Sequence, residues 1–324
     1  MNILIWNGER HDGHLSYMYH PVVWTLTEAL EESGCCNVTA GSGFGDLGLF
    51  RGATLLLEKG DAFIFVGSAS YNQAPWKELR ARGVRLVYYN TEPLGCKQGI
   101  IPWPIDEWWD YSWANIDQCV ATRNFQAGSR SGSSDVVVAR FFPPGLLKGS
   151  PLCRNFGREG YGAGWAMLGR ADASRARLGC FVQASTGLRR GNDFFEISHV
   201  WSNKSFRNLV ESRRGPLIFL SFHKNCGQRH APFEALRASL LLSAGAILVS
   251  EWSYQKDMRE YKGIVTFAPV GNALKYAAST PLRMAASERK RQAGEAHTAF
   301  RRRFNPRQLL EKASIWWLQA KPNG

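Results

Sequence analysis

The chain has 324 residues, 44% hydrophobic and 21% charged, with 40 Lys and Arg against 27 Asp and Glu and a formal net charge of +13. Its length suits two domains of about 150 residues each, and its apolar and charged fractions are those of a globular protein with a core, which excludes disordered and fibrous classes. No run of about 18 apolar residues is present to build a membrane-spanning helix.

The chain opens with an apolar strand, Asn2 to Trp6. The segment MNILIWNGER has no basic leader, so it reads as a first strand rather than a secretory signal, and a cytoplasmic protein is expected. A Gly- and His-rich turn, Asn7 to His14, leads to a helix from about Pro21 to Ser33. That turn lacks GxGxxG, so the dinucleotide fingerprint is absent. The strand Ala62 to Val66 ends at Gly67-Ser68, and a helix around Trp76 and Glu78 to Arg82 precedes the strand Val84 to Tyr89, which ends in Asn90-Thr91-Glu92-Pro93. The aromatic-rich stretch Trp108 to Ile116 is expected to form a short helix packing large rings. After a Gly/Ser loop, 128–134, the strand Asp135 to Ala139 runs into Phe142-Pro143-Pro144-Gly145, a sequence that cannot continue a regular element. A domain boundary is placed there, giving domains 1–145 and 146–324. Leu147 to Ala173 is Gly-rich without a clear period, and the second domain is expected to start with a strand at Arg177 to Gln183.

Further on, the apolar run Leu217 to Phe222 ends in His223, a helical stretch carries Glu234 and Arg237, and a second apolar run, Ala246 to Val249, ends in Ser250 and Glu251. The repeated strand-then-helix order, with no internal repeat, predicts an α/β fold with parallel sheets. In such sheets ligands sit outside the carboxyl ends of the strands, so the polar clusters at strand ends are the candidate site.

Several residues there have useful chemistry. Arg189 and Arg190, in the turn ASTGLRRGN, could grip a diphosphate with bidentate guanidinium forks, or form a solvated basic loop. His223 could donate to a phosphate or contact a sugar, and Lys224 could neutralise charge, although a histidine at a strand end is more often structural. Glu234 and Arg237 are spaced i, i+3 and either pair with each other or meet ligand hydroxyls and phosphate. Ser250 and Glu251 can bond ribose or sugar hydroxyls. In the first domain, Glu92, and His11, Asp12 and His14 just past the first strand, are candidates for a general base. No paired aspartates stand at a strand end to hold a metal, Asp106-Glu107 lying in a Trp-rich segment, and no Gly-x-Ser-x-Gly elbow or P-loop is present.

The helix with Glu234 and Arg237, the Ser-Ala-Gly turn at 243–245, ILVSE at 247–251 and GIVTF at 263–267 together resemble the C-terminal half of GT-B type glycosyltransferases, including the spore-coat type. WDYS..N at 109–115, following the Asn90 to Pro93 strand end, is similar to a two-part pattern in GT-B-like proteins. The resemblance implies two Rossmann-like domains facing across a cleft, with a nucleotide diphosphate sugar donor on the second and the acceptor, a glycan, protein or lipid hydroxyl, on the first. It implies no cofactor and no metal, the leaving diphosphate being stabilised by helix dipoles and basic side chains. Where most retaining members carry a donor-binding glutamate this chain has Leu240, so Glu234 or Glu251 takes that role or the donor is held differently.

Two rival readings come from the same sequence. A catalytically silent sugar- or nucleotide-binding protein with this fold fits Leu240. The charge of +13 invites nucleic acid, but the basic residues gather near the C-terminus, in Arg283, Arg289, Lys290, Arg291 and Arg301 to Arg303. Such a run is usually a solvated helix face, with peripheral contact to anionic lipid the next reading. The seven cysteines, with Cys35 and Cys36 adjacent, form no CxxC or zinc spacing and are expected to be reduced.

Overall fold

A computed structural model describes residues 1–8, 16–42, 47–67, 74–92, 105–122, 125–127, 137–150, 152, 164–168, 194–198, 203–211, 218–223 and 230–319. It divides into two compact units, Met1–Gly145 with Phe304–Gly324, and Leu146–Arg303. The terminal segment from Phe304 therefore belongs with the first unit and not, as the assignment of 146–324 had it, with the second.

The first unit is built on a seven-stranded, all-parallel sheet. Its strands are β1 (Asn2–Asn7), β2 (Asn37–Ser42), β3 (Ala62–Val66), β4 (Arg85–Asn90), β5 (Glu107–Asp110), β6 (Phe125–Ala127) and β7 (Val137–Phe141), in the spatial order β2-β1-β3-β4-β5-β7-β6. Interior strands such as AFIFV and RLVYYN read as continuous apolar runs because helices cover both faces of a parallel sheet. On one face Leu4, Trp6, Phe63, Phe65, Leu86, Tyr88 and Trp108 meet Phe50, Trp76 and Ile116. Helix α1 (Ser16–Ser33) buries Val22, Leu26, Ala29 and Leu30. It starts at Ser16 rather than near Pro21, with the proline inside it.

Trp108 and Trp109 are not on a helix as expected. They lie on β5, a central strand, and are buried on opposite faces of the sheet; the helix begins only at Trp113. Aromatic rings suit a pleated, doubly covered strand, and the pairing of β5 with both β4 and β7 settles the choice. The edge strand β2 is polar and largely exposed, and its Gly41 lies against the Trp6 ring, which an added Cβ would approach to 2.3 Å.

The terminal segment is fixed to this unit by a buried ionic cluster. Arg140 Nε donates to Glu107 Oε2 at 2.7 Å, and both side chains are only 1% exposed. Trp109 Nε1 donates to the same oxygen at 2.8 Å and Trp317 Nε1 to Glu107 Oε1 at 2.7 Å. Arg140 Nη1 reaches the Ala313 and Ser314 carbonyls at 2.9 and 3.0 Å.

The second unit has a five-stranded parallel sheet formed by β8 (Gly164–Leu168), β9 (Phe194–Ser198), β10 (Ile218–Ser221), β11 (Ile247–Glu251) and β12 (Thr266–Ala268), in the order β12-β11-β10-β8-β9. This is a doubly wound arrangement with its switch point between β8 and β10. β8 falls in the Gly-rich stretch that showed no periodicity, and the strand expected at 177–183 lies outside the described residues. The helix Ala235–Ser243 is buried along its whole length and ends where Gly245 takes φ +71°. His297, from the helix Ala286–Arg303, bonds the Leu242 carbonyl through Nδ1 at 2.8 Å.

Cys119 is disulfide-bonded, against the expectation of reduced thiols throughout, whereas Cys35 and Cys36 are free. No helix among the described residues is long and apolar enough to cross a membrane.

Candidate functional site

Because every strand is parallel, each unit gathers its strand ends along one edge, and the described candidate residues lie on those edges. In the second unit, β10 and β11 run side by side with Ser221 opposite Ser250. This brings His223 and Glu251 together although 28 positions separate them. Glu251 Oε1 accepts the His223 backbone N–H at 2.5 Å and lies 3.1 Å from His223 Nδ1. The other ring nitrogen, Nε2, is 3.0 Å from Ser253 Oγ. Ser250 Oγ donates to the Glu251 carbonyl at 3.0 Å. All four residues are buried. Through the His223 N–H the carboxylate ties the ends of two adjacent strands to each other, while the Ser253 hydroxyl holds the ring at Nε2.

Glu234 and Arg237 form an ion pair at 2.5 Å at the start of the helix Ala235–Ser243, Glu234 being the residue just before its first turn. The segment before that helix is held in place by Asp257, whose Oδ2 accepts the Phe233 N–H at 3.1 Å, and by Tyr254 N–H donating to the Ala231 carbonyl at 2.9 Å. Leu240 is buried inside the same helix. His230 is exposed. Arg189, Arg190 and Lys224 lie outside the described residues, as do His11, Asp12 and His14.

In the first unit the ends of β4 and β5 carry a network that the sequence showed only in pieces. Asp110, fully buried at the end of β5, accepts four hydrogen bonds. Asn90 Nδ2 (2.7 Å) and Trp108 Nε1 (3.2 Å) donate to Oδ2, while Ser112 N (2.9 Å) and Asn115 Nδ2 (3.0 Å) donate to Oδ1. Burial pushes the carboxyl up to about 7, outweighing these four bonds, each of which pulls it down. The same two amides also donate to the Glu92 carbonyl, Asn90 at 2.7 Å and Asn115 at 3.1 Å, and Asn90 Oδ1 accepts the Glu92 N–H at 3.2 Å. Tyr19 donates its hydroxyl to Glu92 Oε1 at 3.2 Å. Its ring lies against Gly67, at the end of β3, where φ is +114° and a Cβ would come within 3.3 Å of Tyr19 Cε2. Asn90 to Pro93 and WDYS..N, matched as separate patterns, therefore contribute to one hydrogen-bonded unit. Tyr19 and Ser253 had no signal in the sequence, since a helical tyrosine and a serine two residues past a strand are common.

The basic run near the C-terminus is partly committed to local structure. Arg291 pairs with Glu288 and Glu295 on its own helix, Arg289 Nη1 caps the Met284 carbonyl at 2.5 Å, and Arg303 Nη1 bonds the Glu260 and Lys262 carbonyls. Among the described residues no group of three or more His, Cys, Asp or Glu side chains gathers to hold a metal.

No family model matches the sequence, and no curated protein does. Solved structures do match, over the length of the chain. HepE from Anabaena, in complex with UDP and glucose, aligns with a TM-score of 0.55 at 10% identity, over 96% of this chain and 98% of that one. The α,α-trehalose-phosphate synthase (UDP-forming) from Burkholderia vietnamiensis aligns with a TM-score of 0.55 at 13% identity, over 98% and 97%. The chain has the GT-B fold. WaaG, a glycosyltransferase involved in lipopolysaccharide biosynthesis, shares it at a TM-score of 0.50 and 12% identity, over 100% of both chains. At these identities the likeness is one of GT-B architecture, and the residues at the strand ends are this chain's own.

Proposed function

We propose that the protein transfers a sugar from a nucleotide diphosphate donor, with UDP as the nucleotide, to an acceptor hydroxyl, without a metal ion. The observation that carries this reading is the pairing of a GT-B fold with a buried His223–Glu251–Ser253 cluster at the carboxyl ends of β10 and β11, beside the switch point of the second sheet. Among proteins of this fold HepE is known with UDP-glucose bound, and the trehalose-phosphate synthase is UDP-forming. In this reading the second unit holds the donor. Ser250, Glu251 and the His223 ring held by Ser253 fix the strand ends around it, and Glu234 with Arg237, Lys224, Arg189 and Arg190 supply acceptors for hydroxyls and positive charge for the diphosphate.

The first unit takes the acceptor, a hydroxyl of a glycan, protein or lipid. Glu92 accepts the hydroxyl proton as the oxygen bonds the anomeric carbon and the diphosphate leaves with the electron pair of the broken bond. Asp12 and His14 are the other candidates for that proton. A direct displacement of this kind inverts the anomeric carbon, so a product of retained configuration would remove Glu92 from the role of base.

The test is a thermal-shift series with UDP-, GDP-, ADP- and CMP-sugars, followed by nucleotide-release assays. A ligand that binds only the folded chain raises the melting temperature with concentration. UDP-sugars are expected to do so, Glu251→Ala to weaken the shift, and UDP to be released on turnover. Binding without release would favour the silent, sugar-binding reading that Leu240 invites; no shift with any donor would overturn the proposal. Oligonucleotide binding that falls steeply with salt would favour the nucleic-acid reading instead.

A further inference from the structure

Asn90, Asn115 and Asp110 converge on one half-exposed residue. The side-chain amide of each asparagine has two N–H groups, and each divides them in the same way, one to the Asp110 carboxyl and one to the Glu92 carbonyl. The Glu92 N–H is taken by Asn90 Oδ1, so both main-chain polar groups of Glu92 are clamped. Asp110 makes this arrangement work. In its ionised form, above about pH 7, the carboxyl is acceptor-only, with room for about four hydrogen bonds, and here it receives four, so the two amides then have a single orientation in which their second N–H points at residue 92. An asparagine at 110 would turn an NH2 group toward two of those donors and release at least one amide. Closing the β4–β5 edge alone does not call for this, because β4 and β5 are already paired in register up to Asn90 and Asp110. Beyond the clamp, the side chain of Glu92 meets Tyr19.

We infer that Asp110, Asn90 and Asn115 are positioning residues for Glu92: they fix its backbone so that its carboxylate, with the Tyr19 hydroxyl on Oε1, is presented to a hydroxyl of the acceptor substrate. The inference rests on the proposed sugar transfer and names the part of the first unit that serves the acceptor.

Two measurements on the full chain test it. The first is hydrogen exchange, followed by mass spectrometry, of peptides spanning 85–92 in the wild type, Asp110→Asn and Asn115→Ala. Loss of protection confined to 90–92 is expected in both variants, with the rest of the sheet unchanged. Unchanged protection at 90–92 overturns the inference whatever the activity. The second is UDP release from the donor sugar identified by thermal shift, for Glu92→Gln, Asp110→Asn and their combination. Asp110→Asn should lower turnover about tenfold to a hundredfold, the loss typical of a misplaced reacting group, and leave the donor KM unchanged. The combined variant should be no slower than Glu92→Gln alone, because a positioning residue has nothing left to position. Losses that multiply, or a raised donor KM, would show that Asp110 acts on the fold at large. If Asp110→Asn does not fold, Asn115→Ala, which keeps the carboxylate, replaces it in both measurements. A wild type that binds and turns over no donor refutes the transfer reading, while the exchange result still decides whether the clamp exists.

Discussion

Replacing Glu107 with glutamine is the most demanding test of the energetics of the first unit. The carboxylate takes N–H groups from Arg140, Trp109 and Trp317 and lies 3.5 Å from Arg85 Nη1, and it and Arg140 are each 1% exposed. Glutamine keeps the shape, removes the charge, and turns an NH2 toward two of these donors, either Arg140 and Trp109 or Trp317 and Arg85. The Arg140 guanidinium is then buried without its counter-charge, a change that typically costs about 3–5 kcal/mol. Trp317→Phe removes the N–H donated to this charged acceptor, for about 1.5–3 kcal/mol, and adds the cost of shrinking a buried ring that the Arg85 guanidinium overlies. Converting both partners, Glu107→Gln with Arg140→Met, should restore part of the loss, since the penalty comes from the orphaned charge. The assay is urea unfolding read by hydrogen exchange on peptides from 85–90 and 306–319, which reports this unit separately from the other. Both peptides should lose protection together in Glu107→Gln. A loss below about 1 kcal/mol, or a double variant worse than the single, would refute the account of the cluster as a buried ion pair that anchors the terminal segment.

Three single sites have further expected outcomes. The Asp110 carboxyl is raised to about 7 in the folded chain, so the folded state holds its proton more tightly than the unfolded one. Its contribution to stability is therefore complete below pH 4 and lost as pH rises toward 7, by roughly 4 kcal/mol at most; the melting temperature of wild type relative to Asp110→Asn should fall between about pH 4 and 7 and level off above, and a constant difference would contradict the shift. Gly145→Ala would put a Cβ 2.5 Å from the Phe304 carbonyl and 3.1 Å from Thr25 Cγ2, for a loss of about 1–3 kcal/mol, whereas Gly52→Ala, on a helix with open space around it, should gain about 0.5–1 kcal/mol in the same melts.

The strands at 62–66, 85–90, 218–221 and 247–251 were legible in the sequence because a strand covered on both faces writes itself as an unbroken apolar run, and the parallel α/β class followed from their alternation with helices. Their carboxyl ends were legible for the same reason, which is how Glu92, His223, Ser250 and Glu251 came into view. Elements without that signature were not: β2 is a polar edge strand, β6 has three residues, and β8 sits among glycines. Trp108 and Trp109 carried apolar bulk without a period, and only pairing on both sides made them a strand. Tertiary structure alone decided the rest. Asp110 meets Asn90 across 20 positions, His223 meets Glu251 across 28, and Glu107 meets Trp317 across 210, so no local spacing encodes them. The sequence by itself determined which segments must be buried; the register of neighbouring parallel strands determined which polar groups share a strand end, because only there do distant residues come within hydrogen-bonding reach.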